Sequence, residues 1–151
     1  MKKIMFICTE NICRSAMADG LMKKKAEEEN LEIEVYSSGI HAETGDAASY
    51  NAIAVMKDYG VDISNHKATN TRESNIRDMD LILCATMGHK NILLQMYPEL
   101  SDKIFTMKEY VGNADKDISD PWGYDMFVYE KCAKEIYDCV VKIIDKEKNI
   151  G

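Results

Sequence analysis

Apolar and polar positions along the chain alternate with two periods, one typical of strands and one typical of helices. Short apolar or alternating stretches indicate strands at residues 2–7, 32–37, 80–86 and 103–107. The first and third are nearly continuous apolar runs, as expected for strands of a parallel sheet buried on both faces. Longer stretches with helical spacing predict helices at residues 13–29, 47–59, 88–96 and 124–146.

Local signals mark the ends of several of these elements. Asp46 is predicted to cap the second helix and Gly60 to end it, and Pro98 follows the end of the third. A short polar stretch near residues 72–77 is predicted to be helical, and residues 111–123 to form a long loop. The apolar face of the last helix carries Val128, Cys132, Ile136, Val140 and Ile143.

Strands and helices alternate throughout, without a repeat or a linker, which predicts one α/β domain over residues 1–151. Right-handed crossovers would give a doubly wound, four-stranded parallel sheet of order 2-1-3-4 with helices on both faces. In such sheets, ligands bind at the carboxyl ends of the strands where the strand order reverses. That point is the loop after the first strand.

This loop carries residues suited to phosphate chemistry. Cys8 ends the first strand, and Arg14 and Ser15 stand where the first helix begins. A loop between a strand and a helix can point backbone N–H groups at an anion, and the helix dipole adds to the attraction. The same field stabilises a Cys8 thiolate, the nucleophilic form, while Arg14 can bind two phosphate oxygens. The pattern predicts phosphoryl transfer through a covalent cysteine intermediate.

The stretch Cys8-Thr-Glu-Asn-Ile-Cys-Arg-Ser15 resembles C-x-G-N-x-C-R-S, the signature of the low-molecular-weight protein tyrosine phosphatases. The resemblance covers essentially the whole chain and continues through Ser37-Ser38-Gly39, His66-Lys67-Ala68, Asp80-Leu-Ile-Leu-Cys84 and Asp120-Pro121-Trp122. One departure stands out, because Glu10 occupies the usual glycine position. The resemblance implies metal-independent, two-step hydrolysis of phosphotyrosine esters on protein substrates, through a phosphocysteine and without a cofactor.

The family's catalytic roles fall on three residues, with Cys8 as the nucleophile, Arg14 as the stabiliser of the phosphoryl oxygens and Asp120 as the general acid. Asp115 and Asp117 are the competing carboxylates in the same loop. The phosphate-binding loop, or P-loop, comprises Thr9, Glu10, Asn11, Ile12, Cys13, Arg14 and Ser15.

A supporting network is expected behind this loop. Ser15 can donate a hydrogen bond to the Cys8 sulfur, and Asn11 can bond across the loop and hold it in shape. The resemblance adds Ser38 and His66 to this network. Cys13 has two interpretations that stay open, a reversible protective disulfide with Cys8 or a small side chain that fills space against the helix.

Ile12 and Trp122 are the expected walls of the substrate pocket. In the wider family, a bulky aliphatic residue at the Ile12 position goes with tyrosine phosphatases, and threonine goes with relatives that cleave phosphoarginine. Ile12 therefore favours phosphotyrosine, and phosphoarginine is the alternative. Glu10 can point to solvent at the rim, weaken anion binding, or favour a cationic group beside the phosphate.

Two rival functions remain. Arsenate reductases share this fold and loop but need two further redox cysteines, whereas Cys84 has no partner cysteine nearby and Cys132 and Cys139 have core spacing. Alternatively, Glu10 abolishes turnover and leaves a phosphate-binding module.

Composition narrows the setting of the protein. A formal net charge of −7 argues against nucleic-acid or anionic-membrane partners, and no apolar run reaches membrane-spanning length. The apolar run after the basic N-terminus is too short for a signal sequence, so a cytoplasmic location is expected. In a cytoplasmic chain, the odd count of five cysteines favours free thiols. His41, His66 and His89 show no metal-ligand spacing, so no metal is expected. The aromatic residues near the pocket would permit a monomer or a weak homodimer.

Overall fold

A computed structural model describes residues 1–150. Its strands are β1 (Lys2–Cys8), β2 (Ile33–Gly39), β3 (Leu81–Cys84) and β4 (Ile104–Thr106). Its α-helices are α1 (Arg14–Glu28), α2 (Tyr50–Asp58), α3 (Met87–Met96), α4 (Met107–Tyr110) and α5 (Met126–Ile150). Three short 3₁₀ helices complete the regular structure, at Thr71–Glu73, Ile76–Asp78 and Pro98–Lys103.

The four strands form one parallel sheet in the order β2-β1-β3-β4, which confirms the predicted topology. At the carboxyl end of β1, Cys8 lies opposite Gly39 of β2, and Ile7 lies opposite Cys84 of β3. The loop after β1 therefore leaves the sheet between the ends of its two neighbours, where the strand order reverses.

The side chains of β1 alternate between two cores, because successive residues of a strand point to opposite faces of the sheet. Ile4 and Phe6 are fully buried in a core that α1, α2 and α5 cover. Met5 and Ile7 lie in a second core that includes Leu93 of α3. Helices thus cover both faces, as the fold class requires.

The predicted start of the second helix was wrong by three residues. The helix α2 begins at Tyr50, and Ser49, not Asp46, caps it by accepting a hydrogen bond from the backbone N–H of Ala52. The preceding backbone cannot be helical because it pairs with another segment. Ala47 forms an antiparallel bridge with Lys67, and the Asp46 carbonyl accepts from the Ala68 N–H at 2.7 Å.

Two other helical predictions need correction. The polar stretch near residues 72–77 forms two 3₁₀ turns instead of one helix, separated by a break at residues 74–75. The last helix begins at Met126 and extends beyond residue 146, to Ile150. In its first turn Tyr129 is buried and Val128 only half-buried, because the Tyr129 hydroxyl reaches inward to Cys13 in the loop after β1. Within residues 1–150, no helix combines the length and apolar character needed to span a membrane.

Candidate active site

The loop that joins β1 to α1 turns tightly against the end of β2. Asn11 has a left-handed backbone with a φ of 58°, which asparagine tolerates better than most residues. Gly39 makes the close approach possible, since a Cβ at this position would lie 2.7 Å from the Thr9 carbonyl oxygen and 2.8 Å from the Asn11 nitrogen. Glu10 does not have a positive φ, so its backbone does not require the glycine that the family has here.

Cys8 lies at the base of this loop, beneath the N-terminus of α1. Its side chain is almost fully buried, and its Sγ lies 2.9 Å from Ser15 Oγ and accepts from the Ser15 backbone N–H at 3.4 Å. Asn11 Nδ2 donates to the same Ser15 Oγ at 2.7 Å. Because this bond uses Ser15 Oγ as an acceptor, the hydroxyl hydrogen is left to donate, either to the Cys8 sulfur at 2.9 Å or to the Ser38 carbonyl at 3.5 Å.

Asn11 is the centre of the supporting network. Its Oδ1 accepts from the Thr69 N–H at 3.0 Å, and its carbonyl oxygen lies 2.7 Å from His66 Nε2, which donates. The structure thus brings Asn11, Ser15 and His66 together behind the loop. Ser38 takes part differently, because only its carbonyl oxygen lies near Ser15, at 3.5 Å, and its hydroxyl bonds to Thr71 at 2.9 Å.

Arg14 is buried, and its guanidinium is fixed at one edge. Nη1 donates to the Ile118 carbonyl at 2.8 Å, and Nη2 lies 3.4 Å from Thr9 Oγ1 and 3.6 Å from Asp120 Oδ2. Its Nε is buried and has no hydrogen-bond partner among residues 1–150. A buried, unpaired donor is costly, and an anionic oxygen in the pocket would satisfy it.

Asp120 reaches the pocket from the loop that follows α4. Its side chain is about half exposed (49%), and its Oδ1 accepts from the Trp122 N–H at 3.1 Å, which closes a turn around Pro121. The fully buried Ile118 anchors this loop by donating its N–H to the Ala85 carbonyl at 2.9 Å. Asp120 is thereby held beside Arg14 while its carboxylate remains open to solvent and substrate.

The two competing carboxylates are held elsewhere. Asp117 Oδ1 accepts from the Met87 N–H at the start of α3, at 2.8 Å. Asp115 pairs with Lys108, with its Oδ2 at 2.9 Å from Nζ. Of the three aspartates, only Asp120 lines the cavity above Cys8.

One cavity brings together the three predicted catalytic residues, the two expected pocket walls and part of the loop after β1. Its lining comprises Cys8, Thr9, Glu10, Ile12, Cys13, Arg14, Asp120 and Trp122. Ile12 is half-buried in its wall, whereas Trp122 is 55% exposed at its edge. Glu10 is exposed at the rim. The cavity therefore combines a cationic, donor-rich base with two apolar walls and one acidic side chain at the entrance.

Cys13 lies between the loop and α5. Its Sγ is 3.2 Å from the Tyr129 hydroxyl and 3.4 Å from Ser49 Oγ. Burial raises the pKa of the Cys13 thiol above its ordinary value, so it stays protonated at neutral pH. Tyr129 was missed as a neighbour of the site, since a tyrosine on an amphipathic helix carries no local sign of such a contact.

His89 was also missed. It is buried in the first turn of α3, with Nε2 at 2.8 Å from Thr9 Oγ1 in the loop after β1. Burial, and then the charge of Arg14, lower the pKa of His89 to about 4. The sequence offered two signals that could have identified it, the Thr9 hydroxyl in the loop and a helix that starts just after the carboxyl end of β3.

The other three cysteines are buried in the core of the protein. Cys84 is fully buried in β3, and Cys132 and Cys139 are buried on α5. Burial raises the pKa of Cys132 to about 12 and that of Cys139 to about 11, which disfavours the thiolate form. Across residues 1–150, no cluster of three His, Cys, Asp or Glu side chains is placed to hold a metal ion.

A parallel α/β sheet with an anion-binding loop at its switch point is an architecture suited to phosphate esters. The comparison with known families specifies the class, because the model of the family described as low molecular weight phosphotyrosine protein phosphatase matches residues 3–149. The chain therefore belongs to this family and is a protein phosphatase.

Individual relatives fall into two groups by name. A protein-arginine-phosphatase of Geobacillus stearothermophilus is 34% identical over 95% of both chains. A low molecular weight protein-tyrosine-phosphatase of Staphylococcus epidermidis is 33% identical over 93% of this chain and 96% of its own. Among solved structures, the low molecular weight protein tyrosine phosphatase from T. tengcongensis superposes with a TM-score of 0.92 at 41% identity, covering 97% of this chain and 99% of the other.

Proposed function

We propose that the protein hydrolyses phosphotyrosine esters in two steps, with Cys8 as the nucleophile. One observation carries the proposal. The Cys8 sulfur lies beneath the N-terminus of α1 in the same cavity as the buried Arg14, whose Nε lacks a partner within residues 1–150. A thiolate below a set of anion-binding donors is placed to attack the phosphorus of a bound ester.

In the first step, the Cys8 thiolate attacks phosphorus and forms an S–P bond while the P–O bond to the phenol breaks. Asp120, protonated at this stage, gives its proton to the departing oxygen. Arg14 and the backbone N–H groups of the loop bind the three equatorial oxygens, whose charge is greatest in the transition state. Arg14 Nη2 and Asp120 Oδ2 are 3.6 Å apart, which supports the proposal that both act on the same phosphoryl group.

In the second step, Asp120 is a carboxylate and accepts a proton from water as the water oxygen attacks phosphorus. The S–P bond breaks, phosphate forms and the thiolate returns. Ser15 stabilises this leaving thiolate through the contact between its hydroxyl and Sγ at 2.9 Å. The cycle uses only groups of this chain and water, so we propose that no cofactor takes part.

The substrate class is proposed from the cavity walls. Ile12 and Trp122 present apolar surface on the way to Cys8, which suits the flat ring of an aryl ester. Phosphoarginine is the second candidate, because some relatives are named protein-arginine-phosphatases and the exposed Glu10 carboxylate could pair with a guanidinium.

A direct comparison of two peptides tests the proposal. The same peptide is prepared with phosphotyrosine or phosphoarginine at one position, and phosphate release is followed for the wild type, Cys8→Ser and Ile12→Thr. We expect the wild type to prefer phosphotyrosine, Cys8→Ser to be inactive, and Ile12→Thr to shift the preference toward phosphoarginine. If the wild type preferred phosphoarginine, the proposed substrate would be wrong and the proposed two-step mechanism would still stand.

Three further results would overturn the proposal itself. Turnover that persists in Cys8→Ser would exclude Cys8 as the nucleophile. Phosphate binding without turnover in the wild type would instead identify a binding module, and arsenate-dependent oxidation of thioredoxin would identify a reductase.

We also propose a phosphotyrosine-containing protein as the partner, and neither nucleic acid nor a membrane, in line with the net charge of −7. All five cysteines are free thiols in the structure, which fits work in the reducing cytoplasm. A monomer or weak homodimer remains our expectation for the assembly.

A further inference from the structure

His89 is a buried polar residue that the proposed mechanism does not use. It lies in the first turn of α3 and is 8% exposed, and both nitrogens of its ring have a partner. Nδ1 lies 3.0 Å from Thr86 Oγ1, and Nε2 lies 2.8 Å from Thr9 Oγ1. The ring therefore joins the N-terminus of α3 to the first residue of the phosphate loop.

The hydrogen bonds around the ring are consistent with one direction of donation. Thr86 Oγ1 accepts from the His89 backbone N–H as the cap of α3, which leaves the Thr86 hydroxyl hydrogen to donate to Nδ1. The ring hydrogen is then on Nε2 and points at Thr9 Oγ1. This oxygen also lies 3.4 Å from Arg14 Nη2, so the Thr9 hydroxyl accepts from the imidazole and from the guanidinium.

We propose that His89 is a positioning residue of the phosphatase site, which acts through the Thr9 hydroxyl to hold the Arg14 guanidinium in its phosphate-binding orientation. The inference rests on the function proposed above. Arg14 has two other fixed contacts, Ile118 at Nη1 and Asp120 near Nη2. Since Asp120 must move protons, Thr9 is the neutral contact that keeps Nη2 in place through both steps.

The electrostatic setting agrees with this role. The charged groups that affect His89 are Arg14, Asp120, Asp117 and His41, and burial is the largest influence. Burial and Arg14 lower the pKa of His89 to about 4, so the ring is neutral where the enzyme would work. A neutral imidazole can orient Thr9 without repelling Arg14.

Four variants test the inference on phenyl phosphate. Thr9→Val removes the hydroxyl at constant shape, Thr9→Ser keeps it, His89→Leu removes the imidazole, and Thr9→Val/His89→Leu combines two of these changes. Thr44→Val is the matched control, since Thr44 is an exposed threonine whose hydroxyl bonds to Glu73. Because a hydrogen bond to a charged group is at stake, we expect Thr9→Val and His89→Leu each to lower kcat about tenfold.

Coupling between the two residues separates positioning from general packing. If His89 acts through Thr9, the double variant will be no slower than Thr9→Val alone, and Thr9→Ser will keep most of the activity. The inference would be overturned if the losses of kcat in the two single variants multiplied in the double variant. It would also be overturned if Thr9→Val were as active as Thr44→Val. Should His89→Leu fail to fold, the contrast of Thr9→Val with Thr9→Ser decides the matter.

Binding of inorganic phosphate, measured by calorimetry, provides a readout that does not need turnover. We expect Thr9→Val to bind phosphate more weakly than the wild type and Thr9→Ser to bind it nearly as well. If the wild type binds phosphate but hydrolyses no ester, the proposed function fails while this comparison still tests the role of Thr9. If the wild type turns over and the two Thr9 variants bind alike, only the inference about His89 fails.

Discussion

Asp117 accepts a hydrogen bond from the backbone N–H of Met87, at 2.8 Å, and is thereby held at the start of α3. Three residues later, Asp120 accepts from the N–H of Trp122 in its own loop and lies beside Arg14 in the cavity above Cys8. The two carboxylates are close in sequence, but one bonds to the N-terminus of α3 and the other lines the cavity. This difference supports the proposal that Asp117 fixes the loop and that Asp120 transfers protons.

Asp120→Asn should lower kcat for phenyl phosphate by on the order of a hundredfold, since an amide cannot protonate the leaving oxygen. The loss should be smaller for p-nitrophenyl phosphate, whose leaving group is more acidic and needs less help. Asp117→Asn is the matched control, because its amide oxygen can still accept from Met87. Single-turnover kinetics on both substrates measure the effect.

An equal loss on the two substrates would contradict the assignment of Asp120 as the general acid. A large loss in Asp117→Asn with little change in Asp120→Asn would transfer the role to Asp117.

Glu10→Gly and Glu10→Gln should both lower the KM for simple aryl phosphates, by on the order of threefold at low salt. Glu10 is exposed at the rim of the cavity, and its negative charge repels a phosphate dianion that approaches Cys8. Because an exposed charge is screened by salt, the difference from the wild type should shrink at high ionic strength.

The pair of Glu10 variants separates charge from backbone. If only Glu10→Gly changes KM, flexibility of the loop is responsible and the repulsive role is wrong. An unchanged or higher KM in both would indicate that Glu10 points away from the approaching substrate.

Gly39→Ala should lower activity at least about tenfold and destabilise the fold by about 1–3 kcal/mol, because the added Cβ overpacks a site where only backbone atoms could yield. That Cβ would lie 2.7 Å from the Thr9 carbonyl oxygen and 2.8 Å from the Asn11 nitrogen. Gly88→Ala is the control, since its Cβ would meet Thr86 Oγ1 at an ordinary 3.5 Å. Phosphate-release kinetics and urea unfolding measure both variants.

Gly88→Ala should be neutral or slightly stabilising, as alanine is the better helix residue. A Gly39→Ala variant that matched it in both measurements would show that the phosphate loop can move away from β2 without loss.

Much of this fold was predictable because the strands are short apolar runs and the rules of parallel connection leave few topologies. The position of Cys8 followed from these rules as well. A residue at the carboxyl end of β1, with neighbours on both sides, must lie at the switch point of the sheet. The chemistry of the loop residues then indicated phosphate.

The contacts that escaped prediction join distant parts of the chain. His89 meets Thr9 across 80 positions, and Tyr129 meets Cys13 across 116. The error in the cap of α2 has the same cause. Local sequence favoured Asp46 as the cap, but the bridge between Ala47 and Lys67 keeps the backbone extended at this point. No local pattern encodes such contacts, since they depend on how finished elements pack.

Cys13→Ser should make inactivation by hydrogen peroxide irreversible. Peroxide oxidises the Cys8 thiolate to a sulfenic acid, and the Cys13 thiol can condense with it to form a disulfide and water, which protects Cys8 from further oxidation. Serine keeps polar contacts with Ser49 and Tyr129 but cannot form the disulfide. Activity is measured after peroxide treatment and then dithiothreitol, with Cys132→Ser as the control.

The wild type and Cys132→Ser should recover most of their activity, while Cys13→Ser should recover little. Equal recovery in all three proteins would favour the other interpretation of Cys13, a small side chain that fills space between the loop and α5.

Replacement of His89 by glutamine should make the free energy of unfolding depend less on pH below pH 7. Burial and Arg14 lower the pKa of His89 to about 4, below the ordinary value of 6.5, so between these values the unfolded chain binds a proton that the folded protein does not. The free energy of unfolding therefore rises with pH through this window, and the contribution is lost as the pH falls. At pH 5 the wild type should have lost up to about 2 kcal/mol of its free energy of unfolding through this residue, relative to pH 7, and His89→Gln none of it.

Urea unfolding of both proteins between pH 7 and pH 4.5 measures the difference. Contributions from carboxylates, which both proteins share, cancel in this comparison. Parallel profiles would show that the imidazole titrates normally in the folded protein and that its contact with Thr9 does not exclude the charged form.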